Sequence, residues 1–269
     1  MSVPVPPLLS SNLTEIRDCR YGRMVCLRHD MGISRSLELY GEWSEGETEL
    51  FRQLLSPGDI VVEVGANIGS HTICLAQAVG ESGAVIAYEP QRFVFHLLCA
   101  NVALNDLLNV HPRFAAVGAA AGAITVPMFD FSKTNNVGNL SLGGDSGEQV
   151  AMETIDSLGF QRLKLLKIDV EGMEADVLTG ATETIRRCRP VIYAENDRLE
   201  KSEQLIRIIQ DFDYRLWWHL PPIYNPANFA GNPDDIYPGI ASTNMLCFPA
   251  ETKLNITGFR EVNGPQDRP

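Results

Sequence analysis

The stretch Ile60-Val61-Val62-Glu63-Val64-Gly65-Ala66-Asn67-Ile68-Gly69 constrains this chain more than any other. A short β-branched run that stops at glycine reads as a buried strand. Glycine at 65 and 69 lets the backbone turn sharply and lets a ligand come close. Ser70–Val79 follows with helical periodicity. Strand, glycine turn and helix in that order open a nucleotide-binding α/β sheet.

The residues downstream keep that rhythm. Strands are expected at Ala84–Tyr88, Val110–Ala116, Ala123–Phe129, Leu163–Ile168 and Val191–Ala194. Helices are expected over Arg92–Asn105, Met152–Leu158, Ala175–Cys188 and Ser202–Asp211, the third stopping before Pro190. Such alternation argues for the α/β class with a doubly wound, mostly parallel sheet. Tyr214–Trp218 and Asn244–Phe248 have no helical pattern between them, so this last pair is expected to run antiparallel.

Upstream, Glu45–Leu55 has helical spacing and ends at Ser56-Pro57-Gly58-Asp59, a helix stop and turn. Arg23–Arg28 and Ser36–Tyr40 read as small strands. Residues 1–45 are therefore expected to form a small N-terminal cap, with 1–12 loose. Residues 46–250 form the α/β domain, and 251–269 a polar, peripheral tail. Asp130–Gln149 and His219–Ala241 break the rhythm, and loops of such length often bind ligands or act as lids. Tyr224, Phe229 and Tyr237 argue for order in the second.

Composition removes several partners. A formal charge of -12 repels phosphate backbones, which excludes nucleic acid. No apolar run approaches the ~18 residues that span a bilayer, and the N-terminus lacks the basic and apolar regions of a signal peptide. No membrane association and a cytoplasmic location are the expectations. Six scattered cysteines without a CxxC pair fit neither a zinc site nor a disulfide framework. Cys74 and Cys99 fall in apolar helical stretches and read as core thiols.

Glu89 stands twenty residues beyond Gly69, at the end of the second strand. An acid at that spacing holds a ribose hydroxyl. The sequence thus asks for an adenosine-type ligand across the first two strand ends. A nicotinamide dinucleotide is disfavoured, because G-x-G-x-x-G is missing and Glu63 would sit badly beside a pyrophosphate. The positive amino group and sulfonium of S-adenosylmethionine suit Glu63 better.

Taken together, VVEVGANIGSHTICLA, AYEP, LLCANVALND and LKIDVEGMEADVLTGA resemble the FkbM-type methyltransferases, from about Tyr40 to Phe248. The resemblance implies a Rossmann-like class I methyltransferase sheet with a final antiparallel strand, S-adenosylmethionine as donor, and usually a hydroxyl acceptor. The family more often has Asp where this chain has Glu63. By position, Glu63, Gly65, Asn67 and Gly69 would surround the methionine and adenosine, with Glu89 on the ribose. Gln91 would flank the adenine, and Ala116 and Val117 would line its pocket.

Chemistry is expected where such a sheet keeps its sites, at the carboxyl ends of the strands. Asp169 and Glu171 follow one strand; Glu195 and Asn196 follow the next. An acid after one strand and an acid–amide pair after the next resemble the Mg²⁺ site of catechol-type O-methyltransferases. The same residues can instead act as base or hydrogen-bond anchors, and Asp169 and Glu171 can cap the following helix. Asp169, Glu195 and His219 are the catalytic candidates; histidine titrates in the range of a general base. Asn136, with Asn135 and Asn139, could bond a polyhydroxylated acceptor, as could Glu171 and Asn196. His71 reads as a helix-start residue, Asn105 as a helix C-cap and Trp43 as a packing residue. The partner expected is a small-molecule acceptor such as a sugar or polyketide hydroxyl, with a homodimer kept open. The alternatives are a non-catalytic donor-binding module and methylation of a small carboxylic acid.

Overall fold

The computed structural model describes residues 7–253 and 256–269. Three antiparallel strands come first: β1 (Leu9–Ser10), β2 (Thr14–Cys19) and β3 (Gly22–Leu27). Helices α1 (Ile33–Tyr40) and α2 (Glu45–Leu54) lead into the main sheet. There β4 (Ile60–Val64), α3 (Ser70–Val79), β5 (Ala84–Tyr88), α4 (Arg92–Leu104) and β6 (Val110–Arg113) alternate. A small second sheet interrupts, made of β7 (Ala116–Val117), β8 (Gly122–Val126) and β9 (Glu148–Glu153). The alternation resumes with β10 (Leu165–Ile168), α5 (Glu174–Thr179), α6 (Thr182–Cys188), β11 (Val191–Glu195) and α7 (Leu199–Asp211). Strands β12 (Tyr214–His219), β13 (Asn244–Pro249) and β14 (Arg260–Glu261) end the chain.

The eight-stranded sheet has the order β14-β12-β13-β11-β10-β4-β5-β6. From β6 through β11 the pairs are parallel, while β13 runs antiparallel to β11 and to β12. Period-two alternation sorts the core. Val61, Leu165 and Val191 pack with Phe51 of α2 and Leu75 of α3, while Val62, Leu166 and Ile192 pack with Val177, Ile185 and Ile206. Each such side chain, fully buried, contributes ~1.5–3 kcal/mol. Chain order reverses between β4 and β10, and a crevice opens at such a point because the helices leave in opposite directions.

Several elements differ from the sequence expectation. Ser36–Tyr40 belongs to α1, which buries Ser36, Leu37, Leu39 and Tyr40 and ends at Gly41. Five residues are too few for periodicity to separate helix from strand. Met152 and Glu153 lie in β9, where ladder pairing with β8 and β7 overrides local preference, and only Ile155–Leu158 coil, as a 3₁₀ turn capped by Thr154. The helix expected at Ala175–Cys188 is two helices, broken at Gly180 and Ala181. A Cβ at Gly180 would strike the carbonyl oxygen of Gly118, so the break accommodates a close backbone crossing. Within the segment expected to be loose, Leu9 and Ser10 pair with β2, and residues 1–6 lie outside the described residues. In the tail, Arg260 and Glu261 add an edge strand to β12. Among the described residues no helix is long and apolar enough to cross a membrane. The six cysteines are unpaired.

Candidate active site

The turn after β4 is held by backbone geometry. Gly65, Asn67 and Gly69 all lie in the left-handed region, with φ of 86°, 52° and 91°. A Cβ at 65 would collide with the carbonyl oxygen of Asp169, so the approach of the β10 loop already demands glycine there. Asn67 tolerates its conformation because its Oδ1 accepts from the Ile68 amide at 2.8 Å. Glu89, just past β5, accepts from the Asn67 amide at 3.0 Å and the Gln91 amide at 2.8 Å. Burial nevertheless pushes its pKa up to about 7. Gln91 donates to the Val137 carbonyl at 2.9 Å, which leaves its Oε1 buried without a partner.

Beneath the turn runs a row of buried polar groups. Parallel register places Lys167 of β10 beside Glu63 of β4 and Tyr193 of β11, on the face that α2 and α3 cover. Lys167 Nζ lies 3.3 Å from Asp169 Oδ2 and 3.7 Å from Glu63 Oε1. Glu63 also accepts from Thr72 Oγ1 at 2.5 Å, so much of its charge is answered within the protein. Glu47 of α2 accepts from Ser44 at 2.8 Å, and the Tyr193 hydroxyl lies 2.8 Å from His219 Nδ1. Burial alone would lower the Lys167 pKa, but the charges of Asp169, Glu63 and Glu47 hold it above its ordinary value. Burial raises the pKa of Glu63 and of Glu47.

At the rim, Asp169, Glu171 and Glu195 bring one oxygen each within 4.8 Å of one another, a spacing that suits a shared proton or a cation. Glu171 has φ 56° and is paired with Arg198, which also donates to Asn139 of the first long loop at 2.8 Å. Burial, with the charge of Asp169, pushes Glu171 to about 7 against the opposing guanidinium. Burial and the charges of Asp169 and Glu171 raise Glu195 well above the carboxylate range, and its Oε2 has no partner.

These groups share one cleft of about 180 Å³ at the switch point. Glu63, Gly65, Asn67, Glu89, Gln91, Asn136, Asp169, Glu171 and Glu195 line it. Gly69 stands behind it as the N-cap of α3. Ala116 and Val117 are buried in β7 rather than on the cleft wall. Asn196 turns away and donates to Met245 Sδ at 3.3 Å. His219 lies on a different cleft, with Gly46, Pro221 and Phe259. Sequence reasoning passes over Lys167, Glu47 and Asn244, which line the main cleft, and takes Trp43 and His71, also on its wall, for structural residues. A lysine inside the apolar run Leu165–Ile168 is a legible signal; Glu47 and Asn244 carry none, because only tertiary packing brings their elements here.

A profile of the Methyltransferase FkbM domain matches residues 63–216, more than half of the chain. Methyltransferase sdnD of Sordaria araneosa is 26% identical over 166 residues, covering 48% of this chain and 62% of that protein. Hexuronic acid methyltransferase AglP of Haloferax volcanii is 28% identical over 158 residues, covering 55% of this chain and 61% of that protein. The chain thus spans about three fifths of the length of these relatives. Among solved structures, methyltransferase FkbM from Methylobacillus flagellatus KT superposes with a TM-score of 0.45 at 16% identity, over 75% of this chain and 50% of that one. TYW2 of M. jannaschii in complex with AdoMet gives 0.48 at 16% identity, over 90% and 89%.

Proposed function

This chain belongs to the FkbM methyltransferase family, and from that premise we propose that it is an S-adenosylmethionine-dependent O-methyltransferase acting on a hydroxyl of a sugar or small natural product. The observation that carries the reading is the single cleft that joins Glu89 at one end to Asp169, Glu171 and Glu195 at the other. The name of the Haloferax volcanii relative, a hexuronic acid methyltransferase, favours a sugar-like acceptor.

In this reading Glu89 accepts from the donor's ribose hydroxyls. Gln91 offers its unpartnered Oε1 to the adenine, and Ala116 and Val117 support that pocket from behind. Gly65, Asn67 and Gly69 shape the turn under the methionine. The acceptor hydroxyl approaches to ~3 Å from the sulfonium methyl. Its proton passes to Asp169, the oxygen–methyl bond forms as the carbon–sulfur bond breaks, and S-adenosylhomocysteine leaves. Asp169 suits the base because its side chain is 38% exposed, open to an incoming acceptor, while Lys167 Nζ at 3.3 Å fixes its position. Glu171 and Glu195, both raised above the ordinary carboxylate range by burial, can bond the acceptor's other oxygens, beside Asn136. His219 and Asn196 are reassigned to support, the first steadying Tyr193 and the second the end of β11.

A divalent cation such as Mg²⁺ on the three carboxylates is a second reading, favoured by their spacing. Dialysis against a chelator decides: lost turnover restored by Mg²⁺ selects the metal. The main test is titration of the purified protein with S-adenosylmethionine, then S-adenosylhomocysteine release over a panel of sugar, polyketide and carboxylic-acid acceptors. Donor binding without turnover of any acceptor would favour a non-catalytic binding module. Methylation of the acids alone would move the acceptor to a carboxylate.

A further inference from the structure

We propose that Asn244 of β13 and Glu195 of β11 form a hydroxyl-binding subsite on the acceptor side of the cleft, and that it selects acceptors with a second hydroxyl beside the one that is methylated. The proposal rests on the reading above and narrows its acceptor to vicinal diols, as in a sugar ring. Strand order gives the subsite its place. Strands β5, β4, β10, β11 and β13 stand side by side, so Glu89, Glu63, Asp169, Glu195 and Asn244 follow one another across the cleft. With the ribose on Glu89, the donor takes the β5 and β4 end. The β11 and β13 end is left to the acceptor.

Register makes Asn244 and Glu195 direct partners across the antiparallel pair. Their side chains therefore leave the sheet on one face, with Cβ atoms ~5 Å apart. Tyr193 and Leu246, two residues along each strand, pack in one cluster with Phe51 of α2, which identifies that face. Asn244 is 4% exposed, and its Nδ2 is buried without a hydrogen-bond partner. Glu195 Oε2 is likewise unanswered, so two neighbours that could satisfy each other do not. Buried polar atoms in native proteins are nearly always paired, and each exception calls for an occupant or a role. A donor and an acceptor held side by side match one hydroxyl, which accepts and donates at once. A carboxylate in that place would accept from Asn244 but set like charge against Glu195, and an apolar group would answer neither. A carboxylate oxygen of Glu195 lies within 4.8 Å of one of Asp169. Two hydroxyls on adjacent carbons can thus meet both acids together. One gives its proton to Asp169 while Glu195 and Asn244 hold its neighbour.

The test compares wild type with Asn244→Leu, which keeps the bulk and removes the amide. S-adenosylhomocysteine release is followed with the methyl pyranosides of glucose, galactose and mannose, with cis- and trans-1,2-cyclohexanediol, and with cyclohexanol and phenol, which lack the second hydroxyl. Wild type is expected to methylate at least one diol in preference to both single alcohols. Asn244→Leu should raise KM for that diol by about tenfold or more. Its kcat should stay within a few-fold, because Asp169 is untouched. Its affinity for S-adenosylhomocysteine should be that of wild type, and its melting temperature should not fall, since the lost amide nitrogen had no partner. If Asn244→Leu does not bind S-adenosylhomocysteine, Asn244→Ala, which adds no branched bulk, is read in its place. An unchanged KM for the diol in a folded variant would overturn the proposal. So would wild-type turnover of cyclohexanol or phenol as fast as of the diols, which would leave the O-methyltransferase reading standing. Donor binding with no turnover of any acceptor would overturn that reading, and the subsite with it.

Discussion

Lys167 and Glu63 face each other across neighbouring parallel strands, 3.7 Å apart, with side-chain exposures of 2% and 1%. Each helps to make the burial of the other tolerable, with Asp169 and Glu47 also answering Lys167, since an isolated charge in such a place is far too costly. Lys167→Met should therefore cost about 3–5 kcal/mol in urea denaturation. Adding Glu63→Gln should return part of that loss. Two losses that simply add would show that the pair is not coupled.

Gly65 and Gly143 both have positive φ, but only Gly65 abuts backbone, while a Cβ at Gly143 meets nothing within 4 Å. Gly143→Ala should cost about 1 kcal/mol for the strained conformation alone. Gly65→Ala should cost about 3 kcal/mol or more, because the β10 loop must move. Similar melting temperatures for the two variants would count against the close approach.

Glu89→Ala should weaken S-adenosylmethionine binding by on the order of 1–3 kcal/mol, through loss of a buried charged acceptor and release of the amides of Asn67 and Gln91. Calorimetric titration reads this directly. Wild-type affinity would mean that the ribose lies elsewhere.

Asp169→Asn should lower kcat by about 10²–10⁴-fold while donor affinity changes only a few-fold, because the amide keeps its place but takes no proton. The measurement is S-adenosylhomocysteine release at saturating donor. Unchanged kcat would transfer the base role to another group.

Stability should fall as pH rises, in a window to which Glu89 contributes alongside Glu171, also raised to about 7. The Glu89 pKa in the folded protein is about 7, above the 4.5 of an ordinary glutamate. Between those values the native state holds a proton that the unfolded chain has lost. Folding is therefore favoured at pH 5 relative to pH 8, by ~3 kcal/mol from this group. Urea midpoints at the two pH values should show the drop, and Glu89→Gln should reduce it, leaving the share of Glu171. Equal slopes in wild type and variant would refute the assignment.

Much of the cofactor side is legible in the amino-acid sequence, because it depends on local rules. Gly65, Asn67 and Gly69 sit in one continuous strand–turn–helix unit, and Glu89 follows at a spacing set by one helix and one strand. The rim is partly legible for the same reason: Asp169 and Glu171 closely follow buried β10, and Glu195 is the last residue of buried β11. His219 is misleading. It too ends a strand, but β12 is separated from β11 by β13, so its side chain reaches a different cleft.

The sequence by itself determined the α/β alternation, the glycine turn and the acids at the strand ends, since these follow from periodicity, φ preference and spacing along one stretch of chain. Tertiary structure alone decided that Lys167 neutralises Glu63, that Glu47 and Asn244 join the wall, and that Asn196 and His219 leave it. Strand order and register set those relationships, and they join residues distant in sequence, where no local pattern records which neighbour a buried charge will meet.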